Sequence, residues 1–299
     1  IVNGQKVWTS LGHVADMGML IARTDVDVPK HQGITWFAMP MQQPGLEVRP
    51  LVEMTGHAMF NEVFMTDARV RDDAVIGGLN QGWAVANTTL AFERAGLGSG
   101  GGSAAAASAM PGTVAGQLER RAGDFVGGSK QQRRSGEAVP SLGGAKLLID
   151  LARSNGAIED PTIRQDLVRL YTLGELGRFT NLRAKALKSI GGEVPGLGNL
   201  AKLGMSDQMR LSRDLSLRIV GAAGMLHAYR NEDQAAIEEA TGNPFLPMVT
   251  GMALWAQAPP IYGGTDQIQK NIIGERVLGL PKEPNNDKTL PFSELPKNA

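Results

Sequence analysis

The chain has 299 residues, about two domains' worth at roughly 100–200 residues each, and that length buries a core without a disulfide or metal staple. Lys plus Arg (30) equals Asp plus Glu (30), which argues against a surface that coats nucleic acid by bulk charge. No Cys is present, so disulfide frameworks, thiolate metal sites and Cys nucleophiles are excluded together.

The opening Ile1-Val2-Asn3-Gly4 reads as the inside of a strand and predicts a further portion ahead of it. Asn3-Gly4 predicts a hairpin turn, because both central positions of a type I′ turn need positive φ. Val7-Trp8-Thr9, Met19 to Ala22, Ile34 to Met39 and Glu62 to Met65 are short apolar, β-branched or aromatic runs between Gly, Pro and Asp clusters. They predict a small β-barrel-like unit over residues 1–78.

From about residue 80 the period changes. Trp83, Ala86, Leu90, Glu93 and Leu97 step by 3 and 4, forming one seam of a helix. Ile163 to Leu187, Ala201 to Ile219 and Ile268 to Leu278 also predict helices, with Asp160-Pro161 as a helix start. Residues 79–299 are therefore expected to form a mostly helical unit, a four-helix-type bundle, and the fold class is α+β. Gly is 38 of 299 residues, nearly twice the usual share of roughly 7%. Much of that excess falls in a Gly-, Ala- and Ser-rich segment at about 98–145, which reads as either a lid or a linker. Lys130 to Gly136 within it reads as solvated surface rather than a nucleic-acid contact.

No run approaches the ~18 uninterrupted apolar residues of a membrane helix, and the 299 residues hold no basic-then-apolar leader pattern, although a portion ahead of Ile1 could carry one. A soluble, cytoplasmic protein is expected. His13, His31, His57 and His227 are scattered without metal-ligand spacing, so no metal site is expected.

Several residues stand out on local grounds. Glu93 is a carboxylate on an apolar seam, which suits either a desolvated base or a structural ion pair with Arg94 or another cation. Gly263-Gly264-Thr265-Asp266 immediately precedes a helix, where backbone N–H groups can cradle an anion or a cofactor carbonyl, or serve only as turn and cap. Gly221 and Gly224, in Ile219-Val220-Gly221-Ala222-Ala223-Gly224, suit a helix C-cap. Trp8 in a strand is by itself most simply core.

Four segments converge on one family. They are Asn3-Gly4-Gln5-Lys6-Val7-Trp8-Thr9-Ser10 with Ala22-Arg23-Thr24-Asp25; Gly33-Ile34-Thr35-Trp36-Phe37 with Met54-Thr55-Gly56 and Asn61-Glu62-Val63-Phe64; Asn80-Gln81-Gly82-Trp83 through Phe92-Glu93-Arg94; and Ile261-Tyr262-Gly263-Gly264-Thr265 through Glu275-Arg276 to Leu280-Pro281. In that order the chain resembles the central and C-terminal part of an acyl-CoA dehydrogenase, with the family's N-terminal helical domain absent. The resemblance implies FAD, lying between a β domain and a four-helix bundle, and α,β-dehydrogenation of an acyl-CoA to a trans-2-enoyl-CoA. An electron-transferring flavoprotein would reoxidise the flavin, and the assembly would be a homotetramer or a heterotetramer with a related subunit.

The resemblance also distributes roles. Many members carry the base in a tyrosine-glutamate-glycine-threonine motif, and that position here is Gly263, which has no side chain. Members resembling the isovaleryl and long-chain enzymes place the base in a Glu-Arg pair, which matches Glu93-Arg94. Trp8 and Ser10 match the strand that flanks the isoalloxazine, and Gly264 and Thr265 match flavin contacts. Gly221 and Gly224 match a turn that approaches the adenine-bearing end from a neighbouring subunit. Tyr262 and Gly263 would line the acyl pocket. The family's Arg and Phe-Gly pattern for the cofactor pyrophosphate is lacking at 153–165, where Arg153 or Arg164 are the available guanidinium groups. Fatty-acid, branched-chain and steroid side-chain thioesters are the expected substrate range. A non-catalytic subunit of a heteromeric dehydrogenase, and a flavin oxidase on the same scaffold, are the alternatives.

Overall fold

The computed structural model describes residues 1–98, 144–285 and 287–296. Six strands come first: β1 Val2–Ser10, β2 Met17–Arg23, β3 Ile34–Pro40, β4 Leu46–Leu51, β5 Phe60–Ala68 and β6 Val75–Ile76. They form two three-stranded antiparallel sheets, ordered β1-β5-β4 and β2-β3-β6. Along β5 the side chains alternate, with Asn61, Val63 and Met65 buried and their neighbours less so. Leu20 of β2, Met39 of β3 and Val63 and Met65 of β5 meet in one apolar cluster with Met41 and Ala68. Burying each such large side chain stabilises by about 1.5–3 kcal/mol.

The expected hairpin turn at Asn3-Gly4 is not formed; both residues lie inside β1. Val2 pairs with Ala68 and Gly4 with Met65, so β5 carries an extra residue there, and Asp67 takes a left-handed conformation with φ 53°. Asn3 uses its side chain across the strands rather than along the chain. Its Nδ2 donates to Asp67 Oδ1 at 3.1 Å, and the Asp67 N–H donates to Asn3 Oδ1 at 2.8 Å.

Helix α1, Gly82–Gly98, starts hard against β3. A Cβ on Gly82 would fall 2.5 Å from the backbone of Thr35 and Trp36, so only glycine permits that approach. This contact sets the helix's rotation. Gly82 and Ala86 are buried and Val85 and Thr89 half-buried, whereas Trp83 and Leu90 of the expected seam stay exposed. The side chains of Glu93 and Leu97, the other two seam members, lie outside the described residues.

The helical part comprises α2 Ala145–Ser154, α3 Pro161–Ser189, α4 Leu197–Val220, α5 Asn231–Thr241, α6 Leu246–Trp255 and α7 Asp266–Ile272, followed by a π-helical turn at Ile273–Val277. Asp160 caps α3 as its sequence suggests, accepting from the Thr162 N–H at 2.7 Å, with Pro161 in the first turn. Leu148, Leu151, Ile163, Leu167, Leu170, Leu215, Ile219 and Val249 bring four helices into one core. The architecture is thus α+β, with small antiparallel sheets followed by a helical C-terminal region.

Packing divides the chain into Ile1–Glu93 with Pro281–Ala299, and Arg94–Leu280. The sequence expectation grouped residues 281–299 with the helices, but contacts carry this tail back to the strands. Phe292 and Ser293 donate backbone N–H groups to Val28 O at 3.0 Å and Val26 O at 2.9 Å. The Arg23 guanidinium lies 3.5 Å over the Phe292 ring, and Lys30 pairs with Asp287. The expected lid or linker lies, over 99–143, outside the described residues. Among the described residues no helix is long and apolar enough to cross a membrane.

Candidate functional site

In the β unit, the ladder pairs Lys6 with Val63 and Thr9 with Asn61, so Val7 and Trp8 both oppose Glu62 in a bulge. Trp8 sits there with φ 62°, a left-handed conformation that costs a bulky residue on the order of 1–3 kcal/mol. Its indole is 62% exposed, resting edge-on against Phe60 at 5.9 Å. Ser10 is also exposed and pairs with Phe60. The sequence suggested core as the simplest reading of Trp8; the bulge turns it outward instead.

Asn61 holds this bulge. It is fully buried, its Nδ2 donates to Thr9 O at 3.0 Å, and its Oδ1 meets His13 Nδ1 at 3.1 Å. Asn61 belongs to one of the quoted motifs, but nothing in the sequence indicated which backbone carbonyl it would serve. His31, another of the four histidines, stacks on Trp83 with ring centroids 4.1 Å apart.

In the helical unit, the stretch from Pro259 to Thr265 forms a tight loop ahead of α7. The Ile261 and Tyr262 N–H groups donate to Ala258 O, and the Asp266 N–H reaches back to Pro260 O at 3.0 Å. Gly263 and Gly264 both have positive φ, 64° and 84°. Thr265 caps α7, its Oγ1 accepting from the Ile268 N–H at 3.2 Å. Tyr262 is half-buried, its ring 6.2 Å from Trp255, and burial pushes its phenol up to about 12.

Buried Gln269 organises the middle of this loop. Its Nε2 donates to Gly263 O at 2.9 Å and Gly264 O at 3.3 Å, while Asn199 Nδ2 donates to its Oε1 at 2.6 Å. A trans peptide points its N–H opposite to its carbonyl, and among the described residues no peptide bond is cis. Drawing these two carbonyls toward Gln269 therefore aims the N–H groups of Gly264 and Thr265 away from it. A Cβ on Gly264 would fall 2.6 Å from Gln269 Nε2, so glycine keeps the clamp in place.

Gly221 caps α4 with φ 60°, and Gly224 lies in the 3-10 turn Gly221–Met225 that follows. A Cβ on Gly224 would press within 3.1 Å of the Leu217 and Val220 side chains. This turn is at the far end of α4 from Asn199, about 30 Å along the axis at 1.5 Å per residue. The two glycine groups are therefore separate within one chain. Of the two guanidinium groups at 153–165, Arg164 is occupied with the carbonyls of Ile158 and Glu159, at 3.0 and 2.8 Å. Glu93 and Arg94 lie on α1, and their side chains are outside the described residues. The structure brings Tyr262, Gly263, Gly264 and Thr265 into one loop and places Trp8 and Ser10 on one strand.

A family model of the acyl-CoA dehydrogenase middle domain matches residues 1–68, and one of the acyl-CoA dehydrogenase C-terminal domain matches residues 144–278. Acyl-CoA dehydrogenase IpdE1 of Mycobacterium tuberculosis is 33% identical over 286 residues, 95% of this chain and 60% of that protein. Acyl-CoA dehydrogenase FadE34 of the same organism is 32% identical, over 94% of this chain and 31% of its own length. Among solved structures, the Tcur3481-Tcur3483 steroid ACAD matches with a TM-score of 0.68 at 21% identity, over 95% of this chain and 61% of that one. The ChsE4-ChsE5 complex from Mycobacterium tuberculosis matches at 0.64 and 22%, over 95% and 62%. At such identity the solved structures speak for the fold alone, and the chain spans 60% or less of the two curated relatives' own length.

Proposed function

The chain belongs to the acyl-CoA dehydrogenase family, with its middle and C-terminal domains, and on that premise we propose that the whole protein is an FAD-dependent dehydrogenase converting an acyl-CoA to its trans-2-enoyl-CoA. The observation that carries this reading is the Pro259 to Thr265 loop. Its Gly263 and Gly264 carbonyls are clamped on Gln269, so the Gly264 and Thr265 amides face away as donors for a cofactor carbonyl.

The residues fit a flavin. The exposed indole of Trp8 offers an aromatic face on a strained, preset strand, and Ser10 adds a hydroxyl two residues on. The Gly221–Met225 turn, a whole helix away, suits the adenine-bearing end of a cofactor held from a neighbouring subunit. When bound, the flavin supplies the hydride acceptor for the β-carbon. Removal of the α-proton is assigned to Glu93, with Arg94 positioning it, on the resemblance to members that carry the base in a Glu-Arg pair, and Gly263 carries no carboxylate to take that role. Tyr262 stays protonated at any physiological pH, so its phenol serves as a neutral wall and hydrogen-bond donor in the acyl pocket.

A fatty-acid, branched-chain or steroid side-chain thioester is the proposed substrate, and the name of one fold neighbour, a steroid ACAD, is the reason to test the last of these. An electron-transferring flavoprotein is the proposed oxidant and the cytoplasm the proposed location. A homotetramer or a heterotetramer with a related subunit is the proposed assembly, and two fold neighbours named as two-chain complexes are the reason to test for a second chain.

The test is Glu93→Gln in the full-length protein, following bleaching of the oxidised flavin band on mixing with straight, branched and steroid-side-chain acyl-CoAs. Loss of the base is expected to slow bleaching by about 10²–10⁴-fold; an unchanged rate removes Glu93 from the role. The named two-chain complexes also favour a second reading, a non-catalytic subunit. That reading requires the Glu93 variant to have no effect and FAD to be retained only after co-purification with a related chain.

A further inference from the structure

Lys202 lies near the start of α4 with no exposed surface at all. A buried ammonium is tolerable only when all three of its protons find acceptors. Here they do: Nζ donates to Pro259 O at 2.5 Å, Asp266 Oδ1 at 3.1 Å and Ser206 Oγ at 3.3 Å. The first two acceptors stand at the two ends of the glycine loop, so one charged group ties the loop's entrance to its exit.

Lys202 is part of a stripe. Asn199, Lys202, Ser206 and Arg210 are spaced 3, 4 and 4 apart along α4, which places them on one face. Asn199 orients Gln269, which grips the loop's middle. Arg210 Nη1 holds the other oxygen of Asp266 at 2.7 Å and is itself braced by Asp207 at 2.6 Å. One helix face therefore controls both ends and the centre of the loop. A buried ion pair is a poor way to stabilise a core, since apolar side chains of similar volume commonly do as well or better. What the charged pair adds over them is a fixed direction.

We propose that Lys202 is a positioning residue: through Pro259 O and Asp266 it sets the span of the loop and so the aim of the Gly264 and Thr265 amides at the cofactor. This rests on the flavin reading above.

The experiment uses the full-length protein in whatever assembly it forms, with Lys202→Met, which keeps the volume and removes the charge. Hydrogen exchange at residues 260–266, measured without flavin, is expected to quicken at least tenfold. On addition of FAD, the variant is expected to bind about tenfold more weakly, a loss of about 1.4 kcal/mol, with a shifted visible band and kcat lowered more than KM is raised. Adding Asp266→Asn removes the stranded charge. In that double variant thermal stability should recover while the flavin spectrum stays shifted, which a role in stability alone does not produce. Should Lys202→Met not fold, Ser206→Ala deletes one acceptor only and is expected to quicken loop exchange severalfold.

Unchanged loop exchange overturns the proposal. So does faster exchange with unaltered FAD affinity and spectrum, which makes Lys202 a structural pin and nothing more. If the wild-type protein takes up no FAD, the flavin reading fails and takes the aim at a cofactor with it. The exchange measurement still reports separately whether Lys202 holds the loop.

Discussion

The β unit and the helical unit each present a preset segment gripped by a buried amide, and only the helical unit adds charge to the grip. At Trp8 the backbone is strained and the brace is neutral: a buried amide, Asn61, on a carbonyl and a histidine. At the Pro259 to Thr265 loop the glycines relax the backbone; a neutral amide, Gln269, grips the middle, and the two ends add an ionic brace, with Lys202 and Arg210 converging on Asp266. A neutral brace fails by leaving one polar group unsatisfied. An ionic brace fails by stranding a charge, so its failures are larger and depend on pH.

That contrast orders the expected effects. Asp266→Ala should be the most damaging change, costing about 3–5 kcal/mol by leaving Lys202 buried without its carboxylate, read as a shift in the denaturant midpoint. Asn61→Ala should cost about 1–3 kcal/mol, the desolvation of an unmet Thr9 carbonyl. If the two losses prove equal, the distinction between ionic and neutral bracing collapses.

Acid separates them further. Burial pushes the Asp266 carboxyl up, but hydrogen bonds from Arg210, Ser206 and Lys202 outweigh that and hold it below the usual carboxylate range. Folding thus favours the charged form. Its contribution is complete above the ordinary Asp value, about 3.9, and is lost as pH falls through the lowered folded value. Asp266→Asn should flatten that part of the acid stability profile, whereas Asn61→Ala should lower the curve without changing its shape there. The smallest effect is expected from Trp8→Gly. Relief of the left-handed strain and loss of the Phe60 contact roughly offset, leaving a stability change under about 1 kcal/mol. A large loss of stability there would show that the bulge is not strained.

Much of the fold was legible from sequence where the signal is local. Asp160-Pro161 announces the start of α3, and Gly263 to Asp266 announces a turn into a helix, because caps and turns act over three or four residues. Asn3-Gly4 misled for the same reason: the dipeptide permits a turn, but the cross-strand partner Asp67, far along the chain, recruits the Asn side chain. The α1 seam was displaced by the approach of Gly82 to β3, which no helical period encodes. Least legible was the α4 stripe. Charges are seldom buried unless paired, and the partner that pairs Lys202, Asp266, lies 64 residues on.

The returning tail has a consequence for how the molecule is made. Phe292 and Ser293 add to the β unit at Val26 and Val28. Yet roughly 190 residues of helical unit are translated between the strands and that tail. At 5–20 residues per second the strands wait on the order of ten to forty seconds on the ribosome before their last segment emerges. Through that interval the Val26 to Pro29 edge lacks its cover, and an unpaired edge is where chains associate wrongly. A stop placed just after Leu280 would make the delay permanent, yielding a chain that keeps α1 to α7 and lacks the segment that pairs with Val26 and Val28.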